Sequence, residues 1–216
     1  MDFFVKFKKP LEIREDDELT EDNILKLQYD IISKWKNDSE TWFLTKGPPI
    51  LGILGAVSGI YIHNHYRKKL KLGNFGRATS YLPIVVLPAL VAPVVHKVAI
   101  QTALLLSNYK CPVCLQVRGG LLQTAVAGIY PAMLAPLACF MYANRHFTYR
   151  IPSITQQPRE ILTLWAKLTR PIAGPLIGIF LANYFAAMYL TNREIQDFHL
   201  IMVKLDKSTS LLEERS

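Results

Sequence analysis

Apolar positions along this chain gather into four long unbroken runs, and the polar positions gather between them. The runs extend from about residue 48 to 66, 80 to 106, 119 to 143 and 171 to 190. A helix needs about 20 mostly apolar residues to cross the hydrocarbon layer. Only helices and closed barrels satisfy every backbone polar group there. A barrel would show alternating segments of about ten residues. Continuous runs therefore predict an all-α, polytopic four-helix transmembrane bundle, with proline-kinked spans and amphipathic interfacial helices.

The flanking segments carry a helical period of their own. After Thr20, Glu21 and Asp22, a helix-start signature, Ile24, Leu27, Ile31 and Trp35 recur on one face. Trp35 and Trp42 precede Gly47, Pro48 and Pro49, which places this helix at headgroup level, leading into span one. Between spans three and four, Pro158 suits a first helical position, and Ile161, Leu162, Trp165 and Leu168 form one apolar face. Phe198, Ile201, Met202 and Leu205 continue a stripe past span four. The expected organisation is a polar N-terminal segment over 1–46, a membrane domain over 47–190 and a helical tail over 191–216.

Composition supports a membrane protein and removes other classes. Half of the 216 residues are hydrophobic and 19% are charged, with a mean hydropathy of +0.17. Eleven glycines exclude a collagen-like chain, and three cysteines exclude a disulfide scaffold. The net charge of +8 is unevenly placed. Loop one carries Arg67, Lys68, Lys69, Lys71 and Arg77. Loop three carries Arg145, Arg150, Arg159, Lys167 and Arg170 against Glu160 alone. An even number of spans puts both loops on one face, and basic loops resist translocation, so this face is assigned to the inner compartment. The opposite face holds the acidic stretch from Glu12 to Asp22, the middle loop with Lys110 and Arg118, and the tail. Met1 to Pro10 has no long apolar core, and acids follow at once, so any import signal is expected to be internal.

Within the spans, small residues recur at four-residue spacing: Gly55 and Gly59 in span one, then Gly174, Gly178, Ala182 and Ala186 in span four. Such faces let helix backbones approach closely. Internal packing is expected for Gly55 and Gly59, and docking of a partner's membrane helix for Gly174, Gly178 and Ala182. Pro83, Pro88, Pro93, Pro131 and Pro136 remove backbone donors and need neighbours to repair the freed carbonyls. His63 and His65 close span one and are expected at the interface. His96 and Lys97 are expected there too, if span two closes near residue 97, with Lys97 snorkelling; if the helix runs on through Val98 to Leu106, Lys97 lies near mid-span and needs a partner.

Cys111 and Cys114 form C-x-x-C with Pro112 inside it, and Cys139 lies in span three. A thiolate here would gain from Arg118 and from the start of the following helix. Zinc would need two more ligands. A structural disulfide, a redox pair and two free thiols all remain open, and a structural role is favoured over catalysis because no second cysteine pair exists to relay electrons.

Cys111, Cys114, Arg118 and Gly120, followed by Gly128, Tyr130 and Pro131 and then by Trp165, Lys167, Arg170 and Pro171, make a series. With Tyr66 to Lys69 after span one, that series resembles the transmembrane protein 126 family over roughly residues 45–195. The resemblance implies a multi-pass protein of the mitochondrial inner membrane that assists assembly of respiratory complex I. It acts on membrane-arm subunits together with other assembly factors, without a cofactor or catalytic residues. Two other classes come from the residues alone: a thiol–disulfide oxidoreductase resembling the four-helix vitamin K epoxide reductases, and a small transporter with broken helices. The basic face fits membrane lipid such as cardiolipin, and no nucleic-acid partner is expected.

Overall fold

In the computed structural model, which describes residues 21–109, 111–149 and 158–213, each apolar run is the middle of a longer helix. The helices are α1 (Glu21–Ser33), α2 (Trp42–Lys69), α3 (Arg77–Leu105), α4 (Pro112–Arg145), α5 (Pro158–Thr169) and α6 (Ala173–Glu213). Four stretches are long and apolar enough to cross a membrane: α2, α3, α4 and residues 159–207, which hold most of α6. No strand occurs among the described residues. Thr20, most of the acidic stretch before it, Lys110, Arg150 and the last three residues lie outside them.

The spans overrun their apolar runs because neighbouring helices meet the backbone needs that proline creates. α2 starts at Trp42 and continues through Pro48 and Pro49, so these prolines do not divide an interfacial helix from span one. Pro48 offers no N–H to the carbonyl four residues back. That carbonyl, on Leu44, instead accepts the side-chain amide of Gln101 at 2.8 Å. α3 and α4 contain π-helical turns at Leu82–Val86, Lys97–Gln101 and Ala125–Ile129. In the first of these the Leu87 N–H bonds back to Leu82. Pro83 would then look to Pro88, which has no N–H, and the Tyr130 hydroxyl donates to its carbonyl at 3.2 Å.

Two α2 glycines meet two further proline-freed carbonyls of α3. A Cβ on Gly59 would lie 2.7 Å from Ile84 O, and one on Gly52 would lie 2.5 Å from Ala89 O. Ile84 and Ala89 stand four residues before Pro88 and Pro93, so each carbonyl lacks its α-helical donor and faces a glycine Cα–H, itself a weak donor. Gly55 packs similarly, its would-be Cβ 3.2 Å from Ala127 Cβ. Any larger residue would push α2 away from α3 or α4.

Burial is concentrated at the two ends of the bundle. At the basic end, Ile62, Tyr66, Leu70, Ile84 and Phe140 form a core that α5 closes with Leu168. Ile161, Leu164 and Trp165 pack on it, whereas Leu162 is 59% exposed. The inward face of α5 therefore contains Leu164 in place of the expected Leu162, and it covers protein rather than lipid. At the other end, Ile32, Leu44, Ile100, Leu104, Leu115 and Phe198 form a second core, with Leu25 and Trp35 against it. Here α1 packs its apolar side into this core against the end of α3 at Thr102–Leu105, and α6, whose 41 residues extend about 62 Å, twice the hydrocarbon thickness, supplies Phe198 and Ile201. The expected tail stripe at Phe198, Ile201, Met202 and Leu205 belongs to this core. The N-terminal segment and the tail thus pack together as one cap.

Candidate functional site

Polar side chains are costly inside a membrane bundle unless they find partners, and among the described residues three clusters of buried ones stand out. Nearest the cap, Glu194 is fully buried: one carboxylate oxygen lies 2.9 Å from His96 Nε2, and the other accepts Gln101 Nε2 at 2.8 Å. Gln101 also donates to Leu44, so the cluster joins α2, α3 and α6. Phe43 N–H donates to Asp197 at 3.3 Å, and the Arg193 guanidinium sits 4.9 Å from the Phe43 ring centre, at the same level. His96 is enclosed within the bundle and is not the interfacial histidine expected, because α3 does not close at residue 97 but runs on to Leu105. Lys97 is exposed on the outer surface, as snorkelling requires.

At mid-bundle, Asn183 of α6 donates to Ser58 of α2 at 2.9 Å, and Gln123 of α4 donates to Asn183 and to Leu51 O at 3.2 and 3.0 Å. At the basic end, His63 lies 3.0 Å from Ser80 Oγ and 3.8 Å from Cys139 Sγ, fully buried. His63 is thus an interior residue and not the interfacial histidine expected. His65, on another face of α2, meets Leu168 O at 3.1 Å. Arg67 is also withdrawn from the basic surface. It is 6% exposed and donates to Ser80 and to the Gly73 and Phe75 carbonyls, clamping loop one.

Ser58, Gln101, Gln123, Asn183 and Glu194 were not singled out from the sequence. The available signal was a single amide, hydroxyl or carboxylate within or just beyond an apolar run, which in a membrane helix marks an inward face.

The small residues divide into inward and outward sets. Gly119, Gly120 and Gly128 of α4 receive Thr191, Tyr184 and Phe180 of α6, each with a side-chain atom within 2.8 Å of a would-be Cβ. Gly174 and Gly178 have nothing within 4 Å of theirs, and Ala182 is exposed beside them. Ile177, Leu181 and Phe185 flank this face at 50% exposure or more. Of the apolar window in the last stretch 17% is buried, against 44% for α2 and α4, which makes α6 the peripheral helix.

Among the other residues of the series, Pro131 is buried in α4, and Trp165 packs on the basic-end core with its indole N–H unpartnered by protein. Arg170 and Pro171 are exposed in the 3₁₀ turn joining α5 to α6.

Cys111 caps the N-terminus of α4 in an extended conformation, and its sulfur accepts the Cys114 N–H at 3.3 Å. Both are free thiols, one of the three states left open by the sequence. The contact with the Cys114 thiol and the N–H groups of Cys114 and Val113 hold the Cys111 thiol below its ordinary value. Arg118, exposed one turn beyond Cys114, is not among the causes.

Four spanning helices, polar clusters joining them and a helical cap define an all-α multi-pass membrane protein. The model for the family described as Transmembrane protein 126 matches residues 24–208, and the chain belongs to that family. It is 44% identical over 200 residues to Transmembrane protein 126 of Drosophila melanogaster, covering 91% of this chain and 88% of that one. It is 26% identical over 157 residues to Transmembrane protein 126A of Rattus norvegicus, covering 73% and 78%, and 25% identical over 157 residues to its Mus musculus counterpart, with the same coverage. No solved structure matches. The family match extends beyond residues 45–195 at both ends, into α1 and the α6 extension, the two elements that build the cap.

Proposed function

We propose that this protein is a non-enzymatic assembly factor of the mitochondrial inner membrane that holds membrane-arm intermediates of respiratory complex I. The outward face of α6 is the observation that carries the reading. Gly174, Gly178 and Ala182 leave a shallow channel between bulky apolar neighbours, open to the membrane. Without a hydrophobic drive in lipid, close backbone approach at such a channel is how a second membrane helix gains packing energy. The opposite side of α6 is fastened by Asn183 and Glu194, so the helix can present this face without leaving the bundle. A single transmembrane helix of a membrane-arm subunit is the occupant, and the exposed basic residues of loops one and three meet anionic lipid such as cardiolipin around it. Complexome profiling of mitochondria tests the assignment. The protein should comigrate with partial membrane arms, and migration solely at its own monomer mass would overturn the proposal.

A further inference from the structure

We propose that Cys111 and Cys114 form a thiol–disulfide exchange site on the face that carries the cap, with Cys111 as the attacking thiol, Cys114 as the resolving thiol and an accessible disulfide as the substrate. The site is separate from the α6 face and its exchange is stoichiometric, one disulfide per molecule, so it leaves the docking assignment in place, and either stands if the other fails.

The geometry separates the two sulfurs by role. Cys111 is the N-cap of α4, a 34-residue helix, and its Sγ accepts the Cys114 N–H at 3.3 Å. Negative charge developing on that sulfur is met by first-turn N–H groups and by the positive end of the helix. Cys114 stands one turn later on the same face and is exposed, as are Pro112 and Val113 between them. A disulfide on an extended peptide therefore reaches Cys111 across a small apolar shelf, with Cys114 placed to attack from behind. Cys139 takes no part. It is fully buried beside His63, and 25 residues along the same helix place it about 37 Å away.

The exchange balances within the site. Cys111 thiolate attacks one sulfur of the substrate disulfide, forming a mixed disulfide and expelling the other sulfur as a thiolate, which takes up a proton. Cys114, losing its proton, attacks Cys111 Sγ, forms the Cys111–Cys114 disulfide and releases the second substrate thiol. The substrate disulfide gains two electrons and the dithiol loses two. One molecule of protein reduces one disulfide.

The test uses the full-length reduced protein in nanodiscs, with glutathione disulfide and a disulfide-linked peptide as alternative probes. Products are quenched by alkylation and read by mass spectrometry. Wild type should form the internal disulfide and release two thiols per protein. Cys114→Ser should trap a stable mixed disulfide on Cys111, while Cys111→Ser should react at least tenfold more slowly. A tenfold preference for the peptide marks a protein substrate, and the reverse preference marks a small-molecule disulfide. Cys139 should stay protected from alkylation throughout, which reports that each variant is folded. If a variant exposes Cys139, the wild-type product decides. Mixed disulfides on both cysteines without an internal bond, or equal rates for folded single variants, would overturn the proposal.

Discussion

Glu194 shows how a single residue ties helices together. Its two carboxylate oxygens serve different neighbours, His96 and Gln101, and Gln101 in turn repairs the Leu44 carbonyl freed by Pro48. Removing the carboxylate strands both partners in a buried site, a loss of about 3 kcal/mol or more. Glu194→Ala should therefore melt well below wild type, and Glu194→Gln, which keeps one acceptor, should lie between them. Exposure of the buried thiol of Cys139 to a maleimide dye on heating measures the order. Little of this was legible beforehand. Glu194 stands just past an apolar run, where a lone carboxylate hints at an inward face without naming its partners, and its burial depends on α3 running on to Leu105 and on the cap closing over it. The histidines misled for a related reason: a position at the end of a span says how deep a side chain lies, not which way it faces. Gly55 and Gly59 were readable, because close approach in a membrane demands small residues whatever the partner helix is.

Among the elements, α5 and the cap test how well periodicity predicts packing. The helical period marks a face on α5, yet Leu162 and Leu164 lie on either side of its edge, and only the packed bundle selects Leu164. Leu168 is 8% exposed and closes the basic-end core, so Leu168→Ala should cost about 2–4 kcal/mol, while Leu162→Ala should change stability by less than about 0.5 kcal/mol. The same dye assay compares them. The cap carries a pH dependence of its own. Lys204, Trp35 and Asn37 all donate to Glu40 and hold its carboxyl below the ordinary value of 4.5. Because the folded value is the lower one, this contribution is present above the ordinary carboxylate range and is lost as pH falls through the folded value. Limited proteolysis between α1 and α2 should therefore be slow at neutral pH and accelerate only once the pH has fallen below the ordinary carboxylate range.

For the whole molecule, span number and loop charge were legible because membrane insertion reads those quantities directly. The union of the N-terminal segment and the tail into one cap was not, since it depends on contacts between residues more than 150 positions apart, such as Phe43 with Asp197. Under the proposed location, loops one and three face the matrix, and the cap with Cys111 and Cys114 faces the intermembrane space. Protease added to mitoplasts should clip a C-terminal tag, whereas a protected tag would reverse the orientation.

The central claim is that α6 presents Gly174 and Gly178 to a partner while Gly55 and Gly59 hold the bundle together. The most direct measurement is protein abundance alongside complex I membrane-arm intermediates in cells carrying Gly178→Leu, with Gly59→Leu as the companion. Gly59→Leu drives a side chain into Ile84 O and should be degraded. Gly178→Leu enters open space, so the protein should accumulate normally while membrane-arm intermediates stall. Normal abundance together with normal complex I in Gly178→Leu cells would contradict the account.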